Sequence, residues 1–325
     1  MMRKKVYVTR QIPEAAIDSL REQFDVTVNP HDRVLEREEL LAGVRGMDAV
    51  LCLLTDVIDS EVFDAAGSQC RIFANYAVGY NNIDVAEASK RGIIVTNTPD
   101  VLNDATADLA WALLFAVSRR IAESDRFARA GKFKGWGPML LLGRDITGKK
   151  LGVIGAGRIG FNFASKAKGF DMEILYTSTK PNAEMEKQLG ARFVDKETLL
   201  READFISVHV PLTPTTRHYI GETEFKLMKN TAVFINTSRG PVVDEKALIY
   251  ALKNGEIWGA GLDVFENEPD IEPGLKELDN AVIVPHIASA TIETRTNMGL
   301  IAARNIVSVL TGGMPEACIN PEVLK

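Results

Sequence analysis

Cysteine and histidine are scarce in this chain, at three and four residues among 325. Cys52, Cys70 and Cys318 are odd in number and far apart, so they neither frame a disulfide-stapled domain nor read as a metal set. Cys52 and Cys70 adjoin apolar runs and are expected as buried thiols in a reducing cytoplasm, and no metal site is expected. No apolar run is long enough for a bilayer-spanning helix, and the opening Met1-Met-Arg-Lys-Lys-Val-Tyr-Val8 lacks the apolar stretch of a secretory signal. Charge of either sign is not in large excess. The net charge of −6 argues against nucleic acid or an anionic membrane as the main partner, while a local arginine can still receive a small anion. Internal repeats, low-complexity tracts and a Pro- or Ser-rich linker are missing too.

What remains is ordinary globular composition, 46% hydrophobic and 25% charged, in a chain long enough for two domains. Short β-branched runs alternate with amphipathic stretches, the pattern of an α/β fold with a parallel sheet covered by helices on both faces. A first set of strands is predicted at 5–9, 25–28, 49–53, 72–74 and 93–95, with helices near 13–23 and 83–90. A second set is predicted at 150–154, 173–176, 192–194, 205–208, 232–235, 259–262 and 281–284. Between the sets, one long helix is expected from about Ala105 to Arg129, started by Asn103 or Asp104 and stopped at Gly131. Its apolar residues cover more than one face, which suits burial between two domains or a subunit interface. A last helix is expected at 292–310. The expected domains are 1–100 with 290–325, and 101–289.

The segment Lys150-Leu-Gly-Val-Ile-Gly-Ala-Gly-Arg-Ile-Gly160 is a strand, a Gly155-x-Gly157-x-x-Gly160 turn and the start of a helix. In a dinucleotide fold Gly155 permits the tight turn, Gly157 lets backbone approach a pyrophosphate, and Gly160 lets helix and strand pack closely. The helix N-terminus adds amide donors and a partial positive charge. The following strand, Ile174-Leu-Tyr-Thr-Ser-Thr-Lys180, has no acid at its end for an adenosine ribose, and Asp171 and Glu173 stand at its beginning. Ser178, Thr179 and Lys180 instead tolerate or bind a 2′-phosphate. This favours NADP(H), with NAD(H) or dual use as the alternative.

Three further residues each follow a predicted buried strand: Arg239 in Asn236-Thr-Ser-Arg-Gly240, Glu268 in Glu266-Asn-Glu-Pro269, and His286 in Pro285-His-Ile-Ala-Ser289. A guanidinium fork suits a carboxylate or the paired oxygens of a 2-oxo acid, and Gly240 leaves room beside it. A carboxylate against one nitrogen of His286 favours its protonated form and suits it to acid/base work. On these grounds Glu266 and Glu268 are not distinguished. His31, His209 and His218 have no acidic neighbour in sequence and read as structural, though His209 is placed to line a cofactor cleft.

Taken together, Asn75-Tyr-Ala-Val-Gly-Tyr-Asn-Asn-Ile-Asp84, Thr98-Pro-Asp-Val-Leu-Asn-Asp-Ala-Thr-Ala-Asp108, the glycine turn, Val210-Pro-Leu-Thr213, Ile235-Asn-Thr-Ser-Arg-Gly-Pro-Val-Val-Asp244, Gly261-Leu-Asp-Val-Phe-Glu-Asn-Glu-Pro269 and Pro285-His-Ile-Ala-Ser289 resemble the D-2-hydroxyacid dehydrogenases, and within them the glyoxylate/hydroxypyruvate reductases. The likeness runs from the first strand nearly to the last residue. It implies two doubly wound lobes, a Rossmann dinucleotide-binding domain inserted in a flavodoxin-like substrate domain. It implies Arg239 as substrate clamp and a Glu268–His286 acid/base pair. The backbone of Val78 and Gly79 would hold the substrate carboxylate with Leu53 nearby, and Trp136 and Leu140 would close the pocket, often across subunits. Thr106 and Asp263 would face the nicotinamide side, Arg158 and Ile159 the pyrophosphate, and Pro211, Thr237 and Ser289 the rest of the cofactor. A homodimer joined through the long helix is implied. Other members act on other D-2-hydroxy acids, 3-phosphoglycerate or phosphite, and some relatives on this fold are cofactor-sensing corepressors.

Overall fold

β-Branched and aromatic runs separated by Gly and polar turns form twelve strands among the described residues, 3–324 of a computed structural model. The chain divides into two units, Met1–Leu102 with Ser289–Lys325, and Asn103–Ala288.

In the first unit β1 (Lys5–Val8), β2 (Asp25–Val28), β3 (Ala49–Cys52), β4 (Ile72–Asn75) and β5 (Ile94–Thr96) form one parallel sheet in the order β2-β1-β3-β4-β5. That is the flavodoxin-like order. Every residue of β3 and β4 is buried, as a strand covered on both faces requires. Helices α1 (Glu14–Arg21), α2 (Arg37–Val44), α3 (Ser60–Ala66) and α4 (Val85–Lys90) supply the cover. Local chemistry sets their ends: Asp59 accepts from the Val62 N–H and Asp84 from the Glu87 N–H, while α3 stops at Gly67 with φ 86°. The final helix, Ile292–Leu310, returns to this unit and lies against α1. Gly299 permits that approach, since a Cβ there would stand 2.7 Å from the Ala16 Cβ.

The second unit begins with α5 (Asn103–Ser118) and α6 (Ile121–Arg129). The expected single helix is therefore interrupted, although Val117-Ser-Arg-Arg-Ile121 contains no Gly or Pro. The cause is tertiary. Ser118 O accepts the Arg144 N–H at 2.8 Å, and Gly143 approaches so closely that a Cβ would lie 2.3 Å from the same oxygen. The end of α5 is thus engaged by a distant segment, and Arg120 turns left-handed at φ 52°.

After this come β6 (Lys150–Ile154), α7 (Arg158–Lys166), β7 (Glu173–Thr177), β8 (Arg192–Phe193), β9 (Phe205–Val208), β10 (Val233–Asn236), β11 (Gly259–Leu262) and β12 (Ala281–Ile283). The sheet order is β12-β11-β10-β9-β6-β7-β8, all parallel. Counted within the unit, this is the Rossmann order extended by one strand, with the order reversing between β6 and β9. Ligands of such sheets bind outside the carboxyl ends of the strands. No helix among the described residues is long and apolar enough to cross a membrane.

The apolar helix α5 crosses this sheet over glycines. A Cβ on Gly261 would meet Leu113 Cβ at 2.8 Å and Ile235 Cδ1 at 2.9 Å, and one on Gly259 would meet Val117 Cγ1 at 2.7 Å. Gly261→Ala is therefore expected to lower stability by about 1–3 kcal/mol through overpacking. Urea unfolding measures this, and an unchanged midpoint would show that α5 does not press on β11.

Candidate active site

The glycine turn joins β6 to α7, and each glycine has a distinct surrounding. Gly155 has φ 102°, and a Cβ there would lie 2.7 Å from both the carbonyl carbon and the oxygen of His209. A Cβ on Gly160 would lie 2.0 Å from Gly155 O, so helix and turn pack without clearance. Gly157, which precedes α7, would meet nothing within 4 Å, so its backbone faces open space. Two close approaches and one open face at a helix N-terminus fit a pyrophosphate cradle. Arg158 and Ile159 are the first residues of α7. Asn182 was not among the expected residues, yet it braces the turn. Its Nδ2 donates to Ala156 O at 2.9 Å, while its Oδ1 caps helix α8 (Ala183–Leu189) by accepting from Glu184 and Met185. A lone Asn in a polar stretch gave no sign beyond its capping preference.

Beyond β7, the Ser178 hydroxyl donates to Lys180 O, and Thr179 and Lys180 are exposed. Glu173 opens β7 at its other end. Thr106 is buried in α5, and Pro211, after β9, has its carbonyl held by the Thr216 hydroxyl at 2.6 Å. The Thr237 hydroxyl, after β10, is buried without a hydrogen-bond partner. Such an orphan at a strand end fits a site for a polar ligand group.

Arg239, Glu268 and His286 follow the neighbouring strands β10, β11 and β12. His286 Nδ1 lies 2.8 Å from Glu268 Oε2, and Glu268 Oε1 accepts the Phe265 N–H at 3.0 Å. With a carboxylate as acceptor, the proton sits on Nδ1 and Nε2 is left for a reactant. Burial works to raise the Glu268 carboxyl, but the bond to His286, its charge, the Phe265 N–H and Arg239 together hold it below the ordinary range. Burial lowers the Arg239 guanidinium, and Glu268 opposes that. Arg239 Nη1 donates to Ser238 O at 2.7 Å, and Asn236 ties the turn by donating to Arg239 O at 3.1 Å.

The room at Gly240 is taken by backbone rather than by a reactant. A Cβ there would lie 1.8 Å from Phe265 O and 2.5 Å from Glu266 N. Asp263 is fully buried, and its carboxylate accepts the Ile287 N–H at 2.6 Å and the Ala288 N–H at 2.9 Å. It thereby anchors the segment that carries His286, whose own N–H donates to Asp263 O at 2.9 Å. Burial dominates at this carboxyl and raises it to about 6, against the two N–H bonds and the His286 charge.

Glu266 is resolved from Glu268 by its partners. Its carboxylate lies 2.6 Å from His218 Nε2 and 3.4 Å from Arg217 Nη2, and its N–H donates to Glu245 Oε1 at 2.5 Å. His218, without an acidic neighbour in sequence, thus has one across the fold, 48 residues away. His209 is enclosed on the side of Phe163 with Nε2 2.9 Å from Ser207 Oγ, and burial pushes it down to about 3. It is a neutral ring at ordinary pH.

In the first unit, Leu53 follows β3, and Val78 and Gly79 follow β4. Asn97 Nδ2 donates to Val78 O at 2.8 Å and Asn75 Nδ2 to Gly79 O at 2.9 Å. Ser289 Oγ accepts from Arg295 at 3.1 Å. Trp136 and Leu140 belong to the irregular stretch after α6, and Trp136 is 85% exposed.

Residues 111–288 match the family model for the D-isomer specific 2-hydroxyacid dehydrogenase, NAD binding domain. A glyoxylate reductase of Thermococcus gammatolerans is 52% identical over all of this chain and 98% of its own length. Among solved structures, the TT0316 protein from Thermus thermophilus superposes with a TM-score of 0.91 at 43% identity, over 97% of this chain and 99% of that one. An NADPH-dependent glyoxylate/hydroxypyruvate reductase from Sinorhizobium meliloti, in complex with NADP and malonate, gives 0.85 at 30% identity, over 98% and 97%. With a glycine turn at a helix N-terminus and a guanidinium, a carboxylate and an imidazole at neighbouring strand ends, and on these matches, the chain belongs to the D-2-hydroxyacid dehydrogenase family of oxidoreductases.

Proposed function

We propose that the protein reduces glyoxylate, and hydroxypyruvate beside it, to the 2-hydroxy acid with NAD(P)H. The observation that carries this reading is the 2.8 Å bond that fixes His286 Nδ1 on Glu268, whose strand lies between those of His286 and Arg239. The name of the Thermococcus relative supports the substrate. In this mechanism Arg239 clamps the substrate carboxylate and polarises its carbonyl, and the backbone of Val78 and Gly79 takes the carboxylate's remaining oxygen. Leu53, Trp136 and Leu140 limit the substituent. The reduced nicotinamide, when bound, supplies the hydride that C2 receives. His286 Nε2 gives its proton to the carbonyl oxygen, leaving a neutral imidazole and a hydroxyl, while Glu268 holds the ring by Nδ1. In the oxidative direction neutral His286 takes the hydroxyl proton.

The same reading assigns the Asn103–Ala288 unit to the cofactor, with Thr106, Asp263, Pro211, Thr237 and Ser289 completing its contacts, and the remaining unit to the substrate. The absence of an acid at Ser178, Thr179 and Lys180 supports NADP(H) over NAD(H), as does the NADPH dependence of the Sinorhizobium relative. A homodimer through α5, α6 and the following stretch is part of the proposal. Ile121, Phe133, Trp136, Met139 and Leu142 expose apolar surface there, at 50% or more each, which suits a partner. Sedimentation equilibrium is expected to give twice the chain mass of 35.7 kDa, and a monomer at micromolar concentration would end this part.

Two outcomes test the chemistry. The parent, assayed with NADH and NADPH against glyoxylate, hydroxypyruvate, pyruvate and phosphohydroxypyruvate, should favour the first two acids with NADPH. His286→Ala should lose at least about a hundredfold in kcat, the ordinary contribution of a general acid, with cofactor affinity kept. A preference for phosphohydroxypyruvate, or full turnover without His286, would refute it.

The Glu268 shift also has a stability signature. Its folded-state value is depressed, so its contribution is present above the ordinary carboxylate range and is lost as pH falls through the lower folded value. The stability gap between the parent and Glu268→Gln should thus be widest above about pH 4.3 and should close at lower pH. Urea titrations from acid to neutral pH check the sign, and a gap that widens on acidification would contradict the pairing.

A further inference from the structure

The two turns of the first unit assigned to substrate are joined by a pair of side-chain amides that the function has not used. Asn82 Nδ2 donates to Leu53 O at 3.0 Å and to Asp56 O at 3.1 Å. Asn75 Nδ2 donates to Gly79 O at 2.9 Å and lies 3.3 Å from Asn82 Oδ1. Asn82 Nδ2 also lies 3.4 Å from Asn75 Oδ1, so the two amides face each other through both ends, and the three backbone carbonyls that accept from their Nδ2 groups set both orientations. A flipped Asn82 would aim its oxygen at two carbonyls. The Leu53 turn is closed on its other side by Asp56, a buried carboxylate that accepts from the Leu53 N–H at 2.8 Å and from the Thr9 hydroxyl at 2.6 Å. The Asp56 N–H in turn donates to Leu53 O at 3.0 Å. Both backbone polar groups of Leu53 are thus held, and the backbone that carries its side chain is restrained at both. At the other turn, a pinned Gly79 carbonyl directs the N–H of the same trans peptide, that of Tyr80, the opposite way.

We infer that Asn82 is a positioning residue for substrate. Through Asn75 it fixes the spacing between the Leu53 turn, which limits the substituent on C2, and the Val78–Gly79 turn, which presents backbone to the carboxylate. This rests on the substrate roles given to those turns above. Asn82 touches no reacting atom in that scheme, so its loss acts on substrate fit and leaves proton delivery by His286 in place.

The experiment compares the parent with Asn82→Asp and Asn82→Ser, using NADPH with glyoxylate and hydroxypyruvate. Asn82→Asp keeps the shape but turns a carboxylate oxygen toward Leu53 O and Asp56 O. It should raise KM for both acids about tenfold or more, with kcat within about threefold and NADPH affinity, read by fluorescence titration, unchanged. Asn82→Ser keeps one donor and should recover part of the loss. It also serves if Asn82→Asp does not fold, in which case a KM at least about threefold above the parent's supports the role. The ratio of kcat/KM for the two acids should move toward unity in both variants, which a merely structural defect would not cause. A parent that turns over neither acid with NADPH, nor with NADH in its place, refutes the functional reading itself. A working parent with an unchanged KM in a folded variant, or with kcat and NADPH affinity falling together, refutes the role of Asn82 alone.

Discussion

The contact between Gly240 and the Phe265 carbonyl is the tightest constraint in the Asn103–Ala288 unit. Parallel pairing of β10 with β11 brings the two following loops side by side, but pairing ends at Asn236 and Leu262. Beyond those residues only the missing side chain of Gly240 lets the loops stay in contact, since any Cβ would sit inside the Phe265 carbonyl. The same loop then presents its Phe265 N–H to Glu268 and its Glu266 N–H to Glu245. Arg239 and Glu268 are therefore neighbours because backbone touches backbone between them. Their attraction acts between backbones already placed, so what remains to be ordered is the two side chains.

Two carboxyls of the β11 loop show which force wins at each point. Asp263 is buried and accepts two N–H bonds, yet burial prevails and raises it to about 6. Burial opposes the charge on Glu268 as well, but the imidazole bond and the nearby guanidinium overturn the sign. The His286 charge acts on both; the difference is that Glu268 alone takes a direct bond from the imidazole and the charge of Arg239, whereas Asp263 is bonded only by peptide N–H dipoles. Asp263 accordingly serves as an anchor for the 286–288 backbone, and Glu268 as the direct hydrogen-bond partner of His286.

The sequence made the periodic and local features legible. The strand at 150–154, the glycine turn and the helix at 292–310 depend on alternation, on turn chemistry and on caps, all carried by adjacent residues. The trio was legible because each member follows its own strand. Non-local causes were not. The break of the expected 105–129 helix comes from Gly143 and Arg144 meeting Ser118 O, and nothing between 105 and 129 records it. Asn182 reaches back 26 residues to the glycine turn, and His218 meets Glu266 across 48. Asn75 and Asn82 stand inside a segment that resembles the family, yet their mutual bond exists only once β4 and the turn after it are folded.

The Glu–His motif occurs twice in this unit, on carboxylates two residues apart, and the surroundings separate the roles. Glu266 is shared between His218 and Arg217, a guanidinium that stays charged at every working pH. Its carboxylate therefore has a cation whether or not His218 holds a proton, and the pair ties the 213–220 segment, which bonds through the His218 N–H to Pro241 O, to the β11 loop. Glu268 instead meets His286 at the end of β12, where the backbone is held on both sides by Asp263. Of the two imidazoles, His286 stands three residues past the carboxyl end of its strand, the edge at which such sheets receive ligands, whereas His218 is ten residues beyond β9. Placement on the sheet, rather than the presence of a carboxylate partner, is what favours His286 over His218 for the proposed proton transfer and leaves His218 as a brace.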